Sequence, residues 1–242
     1  MAGDIAEQRI RRPMAEQTWR HVSLIHWPVD PAAVERRLPV GLVPDIVDGS
    51  AWISIVAFRV ERFRVLALPY PADHWSFPET NLRTYVRDGM GRKGIFFLSL
   101  DVASKLNVAG GRMMGLPYYL STMSVEHGNG TTRYRCRRRV GRAALHDIIV
   151  EARAGSDRGR LDLAQSLAAR WRAFSHAGVL IEVPVEHEPW LLQPVCATLL
   201  TETLFEAAGV VRPVAEPLVY YADDLHARLG RPRLVRLPSS GL

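Results

Sequence analysis

The strongest constraint on this chain is a two-residue period that keeps returning, broken by glycine-rich turns. "SAWISIVAFRV", 50–60, is dense in β-branched and aromatic residues and predicts a strand. "ETNLRTYVRD" and "KGIFFLSLDV" flank the turn "DGMGRKG" and predict a hairpin. "YYLSTMSVEH" and "TTRYRCRRRV" flank "GNG" and predict a second one, while "GVLIEVPVEHEPW" and "LVYYADDLHARLG" add further strands. Helical signals are fewer. "DPAAVERRLP", 30–39, has Asp30 as N-cap, Pro31 at the first position and Pro39 as a stop. Residues 161–175 carry Leu163, Leu167, Trp171 and Phe174 at helical spacing, and "ATLLTETLFEAAG", 197–209, reads as a helix ending on glycine. Strands with a few helices imply an α+β domain around an antiparallel sheet or open barrel.

Of the 242 residues, 48% are hydrophobic, enough to bury one sizeable core. With no compositional shift along the chain, residues 16–242 are expected to form a single domain behind a loose tail, 1–15. No run of about 18 uncharged apolar residues exists, so no membrane-spanning helix is expected. The polar start lacks the apolar core of an export signal, and Cys136 and Cys196 are too few for a disulfide scaffold. These features predict a cytoplasmic protein with reduced thiols. Lys93 and Lys105 are the only lysines among 31 basic residues, which limits amine chemistry to two side chains and the N-terminus.

Few stretches carry chemical signals. "GGRMMGLPYYLS", 110–121, opens like a phosphate loop, but it lacks Gly-Lys-Ser/Thr, and its spacing and Pro117 do not fit a dinucleotide fingerprint. A tight turn followed by a strand is the expectation. In "ETNLRTYV", Glu79, Asn81, Arg83 and Tyr85 share one strand face, with same-face neighbours roughly 6.5–7 Å apart. That row is an ordinary wet face if it meets solvent, and a binding or acid-base surface if it meets a barrel interior. In "RYRCRRRV", Arg133, Arg135, Arg137 and Arg139 read as a solvated face with no aromatic interleaving, so no nucleic-acid partner is expected. Arg138 shares the other face with Tyr134, Cys136 and Val140 and needs an anionic partner, either Glu79 or a ligand carboxylate. Cys136 could be an activated thiol, but a small core cysteine is the simpler reading. Eight scattered histidines make no zinc spacing, and no G-x-S-x-G elbow exists. Neither a metal nor a cofactor is expected.

The order of these motifs is itself informative. "LIHWPVDPAAVERRLPVGLVPDIVDGSAWISIVAF", "PETNLRTYV", "GIFFLSLD", "GGRMMGLPYYLSTMSV", "YRCRRR", "RWRAFS" and "VEHEPW" follow one another as in the YqjF-like family (DUF2071), which the chain resembles over about residues 16–235. That family is similar in fold to acetoacetate decarboxylase. The resemblance implies an antiparallel β-barrel or cone with a central cavity, a few flanking helices and the Glu79 face turned inward. Acetoacetate decarboxylases form a Schiff base on a lysine in a Gly-x-Pro-Lys-Lys stretch, with the second lysine lowering the pKa of the first. The matching residues here are Gly115, Leu116, Pro117, Tyr118 and Tyr119, so both lysines are replaced by phenols, which form no imine. Lys105 is the better of two poor substitutes. The acidic residue of the decarboxylase cavity has its counterpart in Glu79.

Two functions are compatible with this pattern. One is a cavity protein for a small anionic or carbonyl-bearing metabolite, with Arg83, Arg112 or Arg138 fixing a carboxylate and Tyr85, Tyr118, Tyr119 and Asn81 completing the site. The other is a non-Schiff-base isomerase, dehydratase or hydrolase with Glu79 as base and Tyr118 as acid. A structural role with a side-chain-filled barrel is a third possibility. By analogy with related barrels, self-association is expected.

Overall fold

The computed structural model describes residues 6–65, 75–152 and 160–235. In chain order the elements are β1 (Ala15–Val29), α1 (Pro31–Glu35), β2 (Leu42–Pro44), β3 (Ala51–Val65), β4 (Phe77–Asp88) and β5 (Lys93–Val102). They continue with α2 (Lys105–Met113), β6 (Tyr118–Gly128), β7 (Thr131–Arg138), β8 (Leu145–Ala152), α3 (Leu161–Ala168) and β9 (Arg172–His176). The chain closes with β10 (Leu180–His187), β11 (Gln193–Glu202), α4 (Leu204–Ala207), β12 (Leu218–Leu229) and β13 (Arg233–Leu234). No helix among the described residues is long and apolar enough to cross a membrane.

Nine strands close a barrel in the order β5-β6-β7-β8-β11-β12-β1-β3-β4, with β4 pairing back to β5. A second closure uses part of the same sheet: β9 pairs with β5, and β10 pairs with both β9 and β12. The strands β12-β1-β3-β4-β5 therefore form a wall shared by two rings. Its two faces meet different interiors. On one, Ile25, Ile55, Ala57 and Leu82 pack against Tyr134, Ile148, Val150 and Phe205. On the other, Val22, Val56 and Phe58 pack with Ala164, Ala168 and Trp190, so α3 and the β9-β10 side cover that face. A wall covered on both sides leaves no strand position to solvent, and "AWISIVAF" is buried throughout. In β1 a register shift between Arg20 and Ser23, with His21 at φ 53°, puts Trp19 on the same side as Val22 and Leu24.

The barrel expectation holds, but its strands are mixed rather than purely antiparallel. β5 runs parallel to β6 at Leu100–Val102 and parallel to β9 at Ile95–Phe96. A parallel step needs a crossover, and α2 supplies the one from β5 to β6. This corrects the expected tight turn at 110–115: Gly110 and Gly111 lie within α2, capped by Ser104, whose Oγ accepts from Asn107 N. Gly111 is required by close approach, since a Cβ there would fall 2.1 Å from the Tyr118 ring. Gly115 follows at φ +72° and turns the chain into β6.

Two predicted helices are shorter than their periodicity suggested. Residues 161–175 split into α3 and β9, because Ala169 leaves the helix at ψ 82° and Arg170 turns to the buried Asp45. Residues 197–209 form most of β11 and only one turn of helix, because pairing with β8 from Val195 to Glu202 overrides a weak helical period rich in threonine. The remaining segments match their predicted type: α1 keeps Asp30 as N-cap, its side chain accepting from Ala32 N. Within the segment expected as a loose tail, Gln8 Nε2 donates to Trp171 O and Ile10 N donates to Glu186 Oε2.

Candidate functional site

Between the shared wall and the β9-β10 side lies a cavity of about 120 Å³. The space is well above the roughly 10–15 Å³ that a single water needs and is of small-molecule scale. Strand alternation delivers the cavity's polar wall: Glu79, Asn81 and Arg83 of β4 all line it. Thr80, Leu82 and Thr84 take the opposite face, where Thr80 meets His146 Nε2 at 2.9 Å. Val22, Val56, Phe58, Ile95 and Leu116 make the surroundings apolar.

Glu79 and Tyr118 come together as the sequence suggested. The Tyr118 hydroxyl donates to Glu79 Oε2 at 3.3 Å. Burial raises the Glu79 pKa from its ordinary value to about 7, and the Tyr118 hydrogen bond offsets part of that rise. Tyr118 is held well above the usual phenol range, first by burial and then by the neighbouring carboxyl. At neutral pH the pair is therefore a neutral phenol beside a carboxyl close to half-ionised.

Arg83 is the most unusual group in the cavity. It is 7% exposed, and its Nε and Nη2 have no hydrogen-bond partner among the described residues. Its guanidinium carbon lies 5.6 Å from the centre of the Tyr85 ring. The Oδ1 of neighbouring Asn81 is also unpartnered. Buried polar atoms in folded proteins nearly always find partners, so Arg83 and Asn81 leave polar atoms at the cavity wall that the described residues do not satisfy.

The other residues singled out from the sequence lie elsewhere. Tyr85 shares the inward direction but lies behind the cavity wall, fully buried, its hydroxyl 2.8 Å from Ser54 Oγ and 3.1 Å from His26 Nδ1. Arg112 is exposed near the end of α2 and donates through Nε to Tyr118 O at 2.8 Å, which fixes the entry to β6. Tyr119 points to the opposite side of β6 from Tyr118, with the Arg138 guanidinium 3.7 Å from its ring centre. Arg138 is buried as expected, but its partner is neither Glu79 nor open space for a ligand. Its Nε and Nη2 donate to both oxygens of Asp101 at 2.8 and 2.6 Å. Arg112, Tyr119 and Arg138 thus stand outside the cavity. Arg133 and Arg135 pair with Asp147 and Glu126 on the outer face. Burial pushes the Cys136 thiol up to about 12, as for a core cysteine. Lys93 and Lys105 are both exposed and do not line the cavity.

Several residues at the cavity were not among the site candidates singled out from the sequence. Arg170 lines the cavity from the segment after α3, with Nη2 donating to Asp45 Oδ2 at 2.9 Å. His187 has its ring 4.3 Å from Trp171 and 5.3 Å from Trp190, and burial lowers its pKa to about 4. Trp19 stacks on Trp190 at 5.9 Å. "RWRAFS" and "VEHEPW" contain Arg170, Trp171, His187 and Trp190, so the signal lay in those motifs rather than in any periodicity.

Comparison with known proteins bears on this geometry. The profile of DUF2071, described as an uncharacterized conserved protein, matches residues 16–226. The chain is 34% identical to the protein YqjF of Bacillus subtilis (strain 168) over 209 residues, 85% of this chain and 86% of that one. Among solved structures, it is similar to the enduracididine biosynthesis enzyme MppR, complexed with the condensation product of pyruvate and imidazole 4-carboxaldehyde. That match has a TM-score of 0.65 and 18% identity over 94% of this chain and 92% of the other. An acetoacetate decarboxylase-like enzyme from Sphingomonas wittichii RW1 matches at 0.63 with 17% identity, over 94% and 95% of the two chains. The acetoacetate decarboxylase of Legionella pneumophila matches at 0.59 with 12% identity, over 95% and 92%. At these identities the structural matches establish a common barrel.

Proposed function

Because the chain belongs to the DUF2071 family and carries an acetoacetate decarboxylase-like barrel, we propose that its cavity binds a small carboxylate- or carbonyl-bearing metabolite without a Schiff base. The observation that carries this reading is Arg83, a buried guanidinium on the cavity wall whose Nε and Nη2 have no hydrogen-bond partner among the described residues. Leaving such a charge unpaired is unfavourable, whereas a carboxylate oxygen would accept from both nitrogens. MppR has been solved in complex with pyruvate, which agrees in size and charge with this reading. Imine chemistry has no support, because neither lysine lines the cavity.

A thermal-shift screen of small oxo acids, followed by calorimetry, tests the proposal. A binder at 100 times its Kd stabilises the fold by about 2.7 kcal/mol, and Arg83→Met should abolish that gain. Equal shifts in wild type and Arg83→Met would remove Arg83 as the anchor. Treatment with borohydride in the presence of the bound oxo acid should leave the protein mass unchanged; a reduced adduct would refute the non-covalent part.

The Glu79–Tyr118 pair favours a second reading, acid-base catalysis in the same cavity. A carboxyl near pH 7 can take a proton from a carbon or hydroxyl next to a carbonyl, while the Tyr118 phenol supplies one to the developing oxyanion. Isomerisation, dehydration or hydrolysis are the corresponding reaction classes. Glu79→Gln should then abolish turnover of a bound oxo acid while preserving its affinity, and retained turnover would remove Glu79 from the chemistry.

A further inference from the structure

We infer that Arg83 and Arg170 are two arms of one clamp, set on the ring of Tyr85, that accepts a single carboxylate and selects monoanions over dianions. The inference rests on the reading of the cavity as a small-carboxylate site and goes beyond it in naming the second arm, its support and the charge of the ligand.

Both guanidinium carbons lie against the same ring, Arg83 at 5.6 Å and Arg170 at 5.2 Å from the Tyr85 centroid. Two like charges converge there only if something offsets their repulsion, and the negative face of an aromatic ring does so. The ring cannot swing away: its hydroxyl is tied to Ser54 Oγ and His26 Nδ1, and Ser54 and His26 are themselves 2.6 Å apart. His26 is buried beside the two arginines, and burial together with their charges lowers its pKa to about 3. It therefore stays neutral and adds no third cation. Tyr85 does not touch the cavity, so it is a positioning residue acting through the two arginines.

Charge counting gives the selectivity. Arg170 donates through Nη2 to Asp45, which also accepts from the half-exposed Arg87 at 2.6 Å. Arg83 has no ion pair among the described residues, and Arg170 Nε is also unpartnered. Arg83 is thus the cavity-lining arginine without an ion pair among the described residues, and Glu79, close to half-ionised at neutral pH, already supplies part of a negative charge to the same space. A single carboxylate would pair with Arg83. A second carboxylate on the same molecule would meet Glu79 or the apolar surface of Val22, Phe58 and Leu116, where no cation waits.

The test uses three probes of similar size, measured by calorimetry and thermal shift at millimolar concentration: 2-oxobutanoate, its methyl ester and the dianion oxomalonate. Wild type should bind 2-oxobutanoate at least about tenfold more tightly than either alternative, the loss expected when one charge-assisted hydrogen bond goes. Arg170→Met and Tyr85→Phe should lower the affinity for the acid towards that of the ester and leave ester binding unchanged. Tyr85→Phe keeps the ring and the bond between His26 and Ser54, so the fold has no reason to fail. A purely structural role for either residue would weaken acid and ester together, and that outcome overturns the clamp, as does oxomalonate binding as tightly as 2-oxobutanoate. No shift with any probe would remove the parent reading of the cavity and the clamp with it. Binding without charge preference removes the clamp alone.

Discussion

Glu79→Gln should make the protein more stable in alkaline solution, and the size of the effect follows from the cavity. In the folded chain Glu79 holds its proton up to about pH 7, against an ordinary value of 4.5. The unfolded chain releases that proton from about pH 4.5 upward, so between these values folding requires proton uptake, and stability falls as pH rises. The contribution of Glu79 is fully present below pH 4.5 and is lost above 7. At about 1.4 kcal/mol per pH unit, the gap amounts to about 3 kcal/mol. Glutamine has nearly the same shape, keeps an oxygen to accept from Tyr118, and does not titrate. Three buried histidines work in the opposite sense. His26 is lowered to about 3, and His146 and His187 to about 4, so each favours the folded state increasingly as pH rises towards 6.5. They are present in both proteins and cancel in the difference. Urea denaturation at half-unit steps from pH 4 to 8.5 gives that difference directly, provided the m-value is unchanged. The variant should gain about 3 kcal/mol over wild type between the two ends of the range, equivalent to roughly 6–12 °C in Tm for a chain of this size. Parallel profiles for the two proteins would show that Glu79 titrates as an ordinary carboxylate, and the acid-base reading would go with it.

The same carboxyl gives a second, signed expectation: Tyr118→Phe removes the hydrogen bond that holds the Glu79 pKa down, so carboxyl titration followed by NMR should move above 7, and a move downward would contradict the assigned geometry. Asp101→Asn leaves the buried Arg138 guanidinium without its carboxylate and should destabilise by about 3–5 kcal/mol in urea. A loss under about 1 kcal/mol, the range of an exposed pair, would mean that the pair is solvated. Gly115→Ala places a Cβ at φ +72° and 2.7 Å from the backbone carbonyl of His176, so a loss of at least about 1 kcal/mol is expected by thermal denaturation, and an unchanged Tm would place the turn elsewhere.

The strands β3 to β7, β10 and β12 were legible because their composition and alternation are strong and local, and the two hairpins because their turns are rich in glycine, whereas β1 and β8 were not read as strands. What escaped was everything decided by pairing at a distance. Nothing in "KGIFFLSLDV" says that its far edge will be divided between β9 and β6, each parallel to it. Nothing in residues 197–209 says that β8 will recruit them as a strand. The helix at 105–113 was hidden by its own glycines, which look like a turn. Gly111 is there for the Tyr118 ring beneath it, a contact that only the folded chain reveals.

For the site, the sequence identified a row of polar side chains on β4 but could not say what that row meets. The answer depends on the wall being covered on both sides. A polar face on such a wall has no solvent to satisfy it, so each polar group must find a partner in the protein or in a ligand. On the face turned to the interior of the nine-strand barrel, Thr80 has His146, and Asp101 holds both Ser121 and two nitrogens of Arg138, while His146 Nδ1 and Ser99 Oγ stay without a partner among the described residues. Arg138 looked like a ligand anchor from the sequence because a lone inward arginine shows its need and not its partner. On the cavity side Glu79 is met by Tyr118, but Asn81 Oδ1 and the Arg83 nitrogens are met by nothing described. The two arginines present the same problem in the sequence and differ only in whether an aspartate stands opposite. That difference separates an ion pair completed within the protein from a guanidinium left unpaired at the cavity wall.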